Sequence, residues 1–253
     1  MTPVRTTGGP LPPLRAQRYL ALGDSYTIGE GVAPGDRWPV QLARALRAEG
    51  VMLGDPRIIA TTGWTTDELS AALDSFDAGT APVRPPVGAA SAASCSIRAK
   101  EPAAEAAPTR SKATAEPWDF VSLLIGVNNQ YRGRSVDNYR DEFAALLARA
   151  IGYAGNRAGR VLVLSIPDWG VTPFAAREGR DAAQVARELD ACNAAARDIC
   201  ARTGVAFVDI TPISRERGGE AAMLVDDGLH PSAAMYAQWT RLALPVARGI
   251  LAA

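Results

Sequence analysis

The sequence predicts an α/β fold, a three-layer α/β/α sandwich around a parallel sheet of about five strands. Two observations carry that expectation. Short apolar runs of β character alternate along the chain with longer segments of helical period. The length of 253 residues at 47% hydrophobic content suffices for one sizeable core and falls short of two.

In chain order, residues 19–22 read as the first strand, and residues 40–49 as a helix opened by Pro39 and stopped by Gly50. Residues 57–60 form a weaker second strand. Residues 120–125 and 161–166 are apolar almost throughout, as strands buried on both faces should be. Between them Val136, Tyr139, Phe143, Leu146, Leu147, Ala150 and Ile151 recur at spacings of three and four, the core stripe of an amphipathic helix. A helix over 181–202, a strand over 205–208 and a last helix from about residue 232 complete the series.

A disordered tail is expected over residues 1–17, the first sixteen of them rich in Pro, Gly and Thr, ahead of one domain over 18–253. An insertion over 79–117 interrupts that domain. It has no aromatic residue and only Val83, Val87 and Ile97 as large aliphatics, so it should be mobile. A lid or a tether is its functional reading, and a tolerated surface loop the simpler one.

Composition narrows the partners. Lys plus Arg equals Asp plus Glu at 27 each, so no basic excess points to nucleic acid or an anionic membrane, and a small molecule is the expected partner. No segment is apolar and long enough to span a bilayer. The first sixteen residues lack the apolar run of a secretory signal. Of the three cysteines, Cys192 and Cys200 would lie roughly 12 Å apart along one helix, too far to pair. Unpaired cysteines and no signal together favour a reducing, cytoplasmic setting.

The chemistry begins from scarcity. His230 is the only histidine, which excludes a multi-histidine metal site, and no cofactor is expected. It lies in Asp226-Asp227-Gly228-Leu229-His230-Pro231, where Asp-Gly signals a turn and Pro231 disfavours helix. A carboxylate three residues before a histidine on one turn can hold Nδ1 and leave Nε2 free as a base. Asp227 has that spacing, with Asp226 beside it.

Three further groups follow strands, at the edge where a parallel sheet binds ligands. Gly23-Asp24-Ser25 follows the first strand and presents a hydroxyl; in isolation Ser25 is as readily a helix cap. Thr61-Thr62-Gly63-Trp64-Thr65 follows the second, where Gly63 offers an unhindered N–H or merely makes a turn. Gly126-Val127-Asn128-Asn129 follows the third, and an amide there can donate to an oxyanion or simply shape a turn.

Taken together in this order, Gly23-Asp24-Ser25, Gly63, Gly126-Val127-Asn128 and Asp227-Gly228-Leu229-His230-Pro231 resemble the four blocks of the SGNH/GDSL hydrolase superfamily, over residues 19 to about 239. The resemblance implies a flavodoxin-like sheet and an esterase, lipase or acylhydrolase activity. It implies Ser25 as nucleophile, His230 as base and Asp227 as its orienting carboxylate. It also implies an oxyanion hole made of the Ser25 and Gly63 N–H groups and the Asn128 amide. The chain departs from the family at Asn129, where members commonly carry Asp, which puts the hydrogen bonding of that loop in question.

A serine hydroxyl needs a neighbouring base to attack an ester carbonyl, and His230 is the one imidazole present. With an imidazole reference pKa of about 6.5, activity should rise from mildly acidic to neutral pH. Small, soluble, short-acyl esters are the expected substrates, since no strongly amphipathic basic helix suggests an interfacial enzyme. An acyltransferase with the same triad is one alternative. A non-catalytic phosphate- or nucleotide-binding module is another, although residues 23–31 contain no Lys and match neither common phosphate-loop pattern. Trp38 and Tyr131 could wall an acyl pocket or simply pack; Arg132 and Arg134 could bind an anion or simply be solvated.

Overall fold

The apolar runs of the sequence meet edge to edge in a single parallel sheet. The computed structural model describes residues 15–79 and 116–252. Its strands are β1 (Tyr19–Gly23), β2 (Arg57–Ala60), β3 (Phe120–Leu124), β4 (Val161–Leu164) and β5 (Ala206–Val208). They pair in the order β2-β1-β3-β4-β5, all parallel. Every residue of β1, β3 and β4 is buried, as the near-continuous apolar runs required. The one polar residue among those strands, Ser122, is satisfied by the Tyr19 hydroxyl at 2.9 Å.

The helices are α1 (Ser25–Ile28), α2 (Trp38–Ala48), α3 (Thr66–Asp77), α4 (Val127–Tyr131), α5 (Val136–Tyr153), α6 (Pro173–Arg177), α7 (Ala182–Thr203), α8 (Thr211–Arg217) and α9 (Ala233–Ala252). α2 packs on α9, whereas α5 packs on α3 and α7, which gives one helical layer on each side of the sheet. On α5 the predicted stripe faces inward, with Tyr139, Phe143, Leu146 and Leu147 fully buried. Each such side chain contributes roughly 1.5–3 kcal/mol of burial. Caps close the long helices: the Thr65/Glu68 capping box on α3, Ser135 on α5, and Asp181 with left-handed Gly204 on α7.

Several boundaries differ from expectation for identifiable reasons. α2 starts at Trp38, with Pro39 inside the first turn, where its missing N–H is not needed. β4 stops at Leu164 because Asn193 of α7 takes over the Ile166 peptide, accepting from its N–H at 2.8 Å and donating to its carbonyl at 3.0 Å. The short helices α1, α4, α6 and α8 were not anticipated. Of the expected tail, residues 15–17 are tied down: Arg15 pairs with Asp119 at 3.0 Å, and Gln17 N–H donates to the Met52 carbonyl at 2.6 Å. The rest of that tail, and residues 80–115 of the expected insertion, lie outside the described residues.

The chain moves from β1 outward to β2, then crosses back to β3 on the other side. Their carboxyl ends therefore flank a topological switch point, where the connecting loops splay apart and leave a crevice.

Candidate active site

The first loop at that crevice makes an abrupt turn. A Cβ on Gly23 would lie 2.2 Å from Thr27 Oγ1 and 2.4 Å from the Leu124 carbonyl, so only glycine lets β1 pass directly into α1. Asp24 caps α1, accepting the Tyr26 N–H on Oδ1 at 3.0 Å. Ser25 is the first residue of α1, 5% exposed, and its N–H, like others in a first helical turn, has no acceptor among the described residues. Asp24 is fully buried, and its second oxygen has no hydrogen-bond partner within 3.5 Å among the described residues, although the Gly126 N–H helps to stabilise the carboxylate. Burial pushes its carboxyl up to about 7, against the opposing pull of the Tyr26 N–H and of His230.

The second loop is closed upon itself. Gly228, at φ +68°, turns the chain so that Asp227 Oδ1 accepts the N–H groups of Leu229 at 2.7 Å and His230 at 2.9 Å. Its other oxygen lies 2.6 Å from His230 Nδ1, and Asp226 is exposed. Partial burial raises the Asp227 carboxyl, but the imidazole and the two N–H donors outweigh it and bring the group down to about 2. The His230 carbonyl accepts the Val225 N–H at 2.9 Å, and an antiparallel bridge joins Leu224 to Pro231.

These two loops touch. The Tyr26 ring meets the His230 imidazole edge-on at 6.0 Å, and a Cβ on Gly31 would lie 2.7 Å from Val225. Ser25 Oγ makes no hydrogen bond to His230 or to any other group among the described residues.

The third and fourth loops are held by each other. Gly63 has φ +86°, and its N–H has no acceptor among the described residues. Its carbonyl accepts Arg132 Nη2 at 2.7 Å, while Arg132 Nη1 pairs with Glu68 at 3.2 Å. Asn128, the second residue of α4, donates through Nδ2 to the Trp64 carbonyl at 2.8 Å. The second hydrogen of that amide remains available.

A profile of the GDSL-like Lipase/Acylhydrolase family matches residues 21–238, a span that includes Ser25, Gly63, Asn128, Asp227 and His230. The chain belongs to this family. No curated protein sequence matches it significantly. Similar solved structures include TesA, 18% identical, covering 93% of this chain and 100% of that one at a TM-score of 0.61. A lipase/acylhydrolase from Enterococcus faecalis is 18% identical over 92% of this chain and 96% of its own, at 0.57. Axe2, an acetylxylan esterase from Geobacillus stearothermophilus, is 17% identical over 92% and 94%, at 0.58. At these identities the neighbours share the fold, and the family match marks the protein as a hydrolase.

Within this GDSL-like protein, the departure at Asn129 has a structural reason. Its buried amide accepts the Thr66 N–H at 3.1 Å and donates to Thr66 Oγ1 at 2.6 Å. The Thr66 hydroxyl in turn donates to Glu142, which lies 3.4 Å from Asn129 Nδ2. An aspartate there would set two carboxylates side by side. Arg132 and Arg134 are both engaged, the latter with Asp67 at 2.6 Å. Trp38 is a fully buried core residue, and Tyr131 leans on Trp169 at 5.4 Å. The thiols of Cys192 and Cys200 are buried, which pushes them up to about 11 and about 12, away from nucleophilic use. Cys95 lies outside the described residues. No helix among the described residues is long and apolar enough to cross a membrane.

Proposed function

We propose that this hydrolase cleaves carboxylic esters through an acyl-enzyme on Ser25. Ser25 Oγ attacks the carbonyl carbon while His230 Nε2 takes its proton, and Asp227 holds the imidazole by Nδ1. The negative oxygen that develops receives hydrogen bonds from the Ser25 and Gly63 N–H groups and from the Asn128 amide. The ester C–O bond then breaks as His230 returns the proton to the departing alcohol. Water, activated by the same imidazole, attacks the acyl-enzyme and frees Ser25. Small, short-acyl esters are the proposed substrates.

The observation that supports this most is the 2.6 Å pairing of Asp227 with His230, on a loop that touches the turn carrying Ser25. Phosphate binding at the same turn is disfavoured, because the N-terminus of α1 already carries the Asp24 carboxyl as its cap.

Initial rates on p-nitrophenyl esters of graded acyl length test the proposal. Ser25→Ala and His230→Ala, each checked for folding, should lose at least about a thousandfold in kcat. A wild type inactive on every ester, or a fully active Ser25→Ala, would overturn it.

A further inference from the structure

A groove of about 510 Å³ opens beside the Asn128 loop, within the size range of small-molecule sites. Gln130, Tyr131 and Arg132 form one wall, directly continuing α4 from Asn128, and Arg180, Asp181, Gln184 and Glu188 form the other. Arg132 lines this groove while its guanidinium grips the Gly63 carbonyl, so one side chain links the groove to the Gly63 loop. Its floor is rigid. Buried Gln130 accepts from the Trp169 indole at 2.8 Å and donates to Glu188 at 2.6 Å.

The charges lining the groove are unequally occupied. Glu188 takes the amides of Gln130 and Gln184, and Asp181 takes the Ala183 and Gln184 N–H groups as the cap of α7. Arg132 is paired with Glu68. Arg180 alone makes no close ion pair among the described residues: Glu188 across the groove feels its charge without touching it, and its one hydrogen bond, at 3.3 Å, goes to the Tyr131 carbonyl. Its guanidinium is nevertheless held in place, 5.1 Å from the ring centre of Tyr131 and 5.4 Å from that of Trp169. A planar cation fixed on two rings, with its remaining donors free in a polar groove, is preorganised for an oxyanion.

We propose that Arg180 makes this groove a subsite for esters that carry a carboxylate, on the acyl or the alcohol part, a few atoms from the scissile bond. The assignment rests on the ester-hydrolase reading above. A long alkyl chain would bury the Arg180 guanidinium without an acceptor, whereas a carboxylate accepts from it.

Two pairs of esters test this and identify the side that carries the charge: the p-nitrophenyl half-ester of adipate against p-nitrophenyl hexanoate, and 4-acetoxybenzoate against its methyl ester. In at least one pair, Arg180→Ala should lower the anionic-to-neutral ratio of kcat/KM about tenfold, with Arg180→Lys restoring part and Arg180→Glu falling further. Both ratios staying within about twofold of wild type would sink the Arg180 assignment and leave the hydrolase reading intact. Equilibrium binding of the same intact anionic esters to Ser25→Ala, with and without Arg180→Ala, needs no turnover. About tenfold weaker binding in the double variant supports the subsite even if catalysis fails, and equal binding overturns it.

Discussion

The Asp227–His230 loop and the proposed oxyanion cradle are built in opposite ways. Asp227 and His230 meet within four residues, in a turn closed by its own backbone donors and by Gly228. Gly63 and Asn128 come from loops after different strands and are placed by long-range bonds: Asn128 to Trp64, Arg132 to Gly63 and Glu68, and Asn129 to Thr66. A locally closed unit keeps its geometry wherever the fold sets it. The cradle is only as well formed as the contacts between its loops, and should fail by degrees.

The largest expected effect breaks the local unit. Asp227→Asn should lower kcat about 10³- to 10⁴-fold by spoiling the imidazole tautomer, while Asp226→Asn stays within about twofold. A greater loss from Asp226→Asn would reverse the assignment of the two carboxylates. On the cradle side, Arg132→Ala should lower kcat about ten- to a hundredfold with a smaller change in KM, because a misplacement near 1 Å costs about that much. Arg132→Lys should recover only part, since one ammonium cannot serve Gly63 and Glu68 with the same fork. Unchanged kcat in Arg132→Ala would show that Gly63 is positioned without it. Smallest is Asn129→Asp, which sets a carboxylate against Glu142 and should cost about 1–2 kcal/mol in urea unfolding at neutral pH. The penalty should shrink in mild acid as one of the two carboxyls takes a proton; equal stability at both pH values would show that the pair is relieved by rearrangement.

How much could be foreseen follows the same division. The fully buried strands and the stripe of α5 were legible because their apolar periodicity is a local property. The Asp227–His230 spacing was legible for the same reason. The four short helices were not, since four to seven residues give too few turns for a period to register. Nor were the Arg132 and Asn129 contacts, whose partners lie more than sixty residues away in the chain and leave no mark in a local window. Arg132 reads from the sequence as a solvated residue or an anion ligand; it is exposed, and its guanidinium is engaged by the Gly63 carbonyl and Glu68. Arg180 leaves no signal in the sequence, because its seat against Tyr131 and Trp169 exists only once α4, α6 and α7 are assembled.

The strand register sets how much change this site can absorb. Gly23 lies level with Ala60 on one side and Leu124 on the other, so three loops leave the sheet at one height. Slipping β3 by a single residue would raise or lower Asn128 by about 3.3 Å and turn its strand inside out. Indels within β1, β2 or β3 are therefore forbidden to this protein even where they would preserve hydrophobicity. Lineage variation in length is expected to collect in the connections at the opposite, amino-terminal end of the strands, where an added residue leaves the shared height untouched.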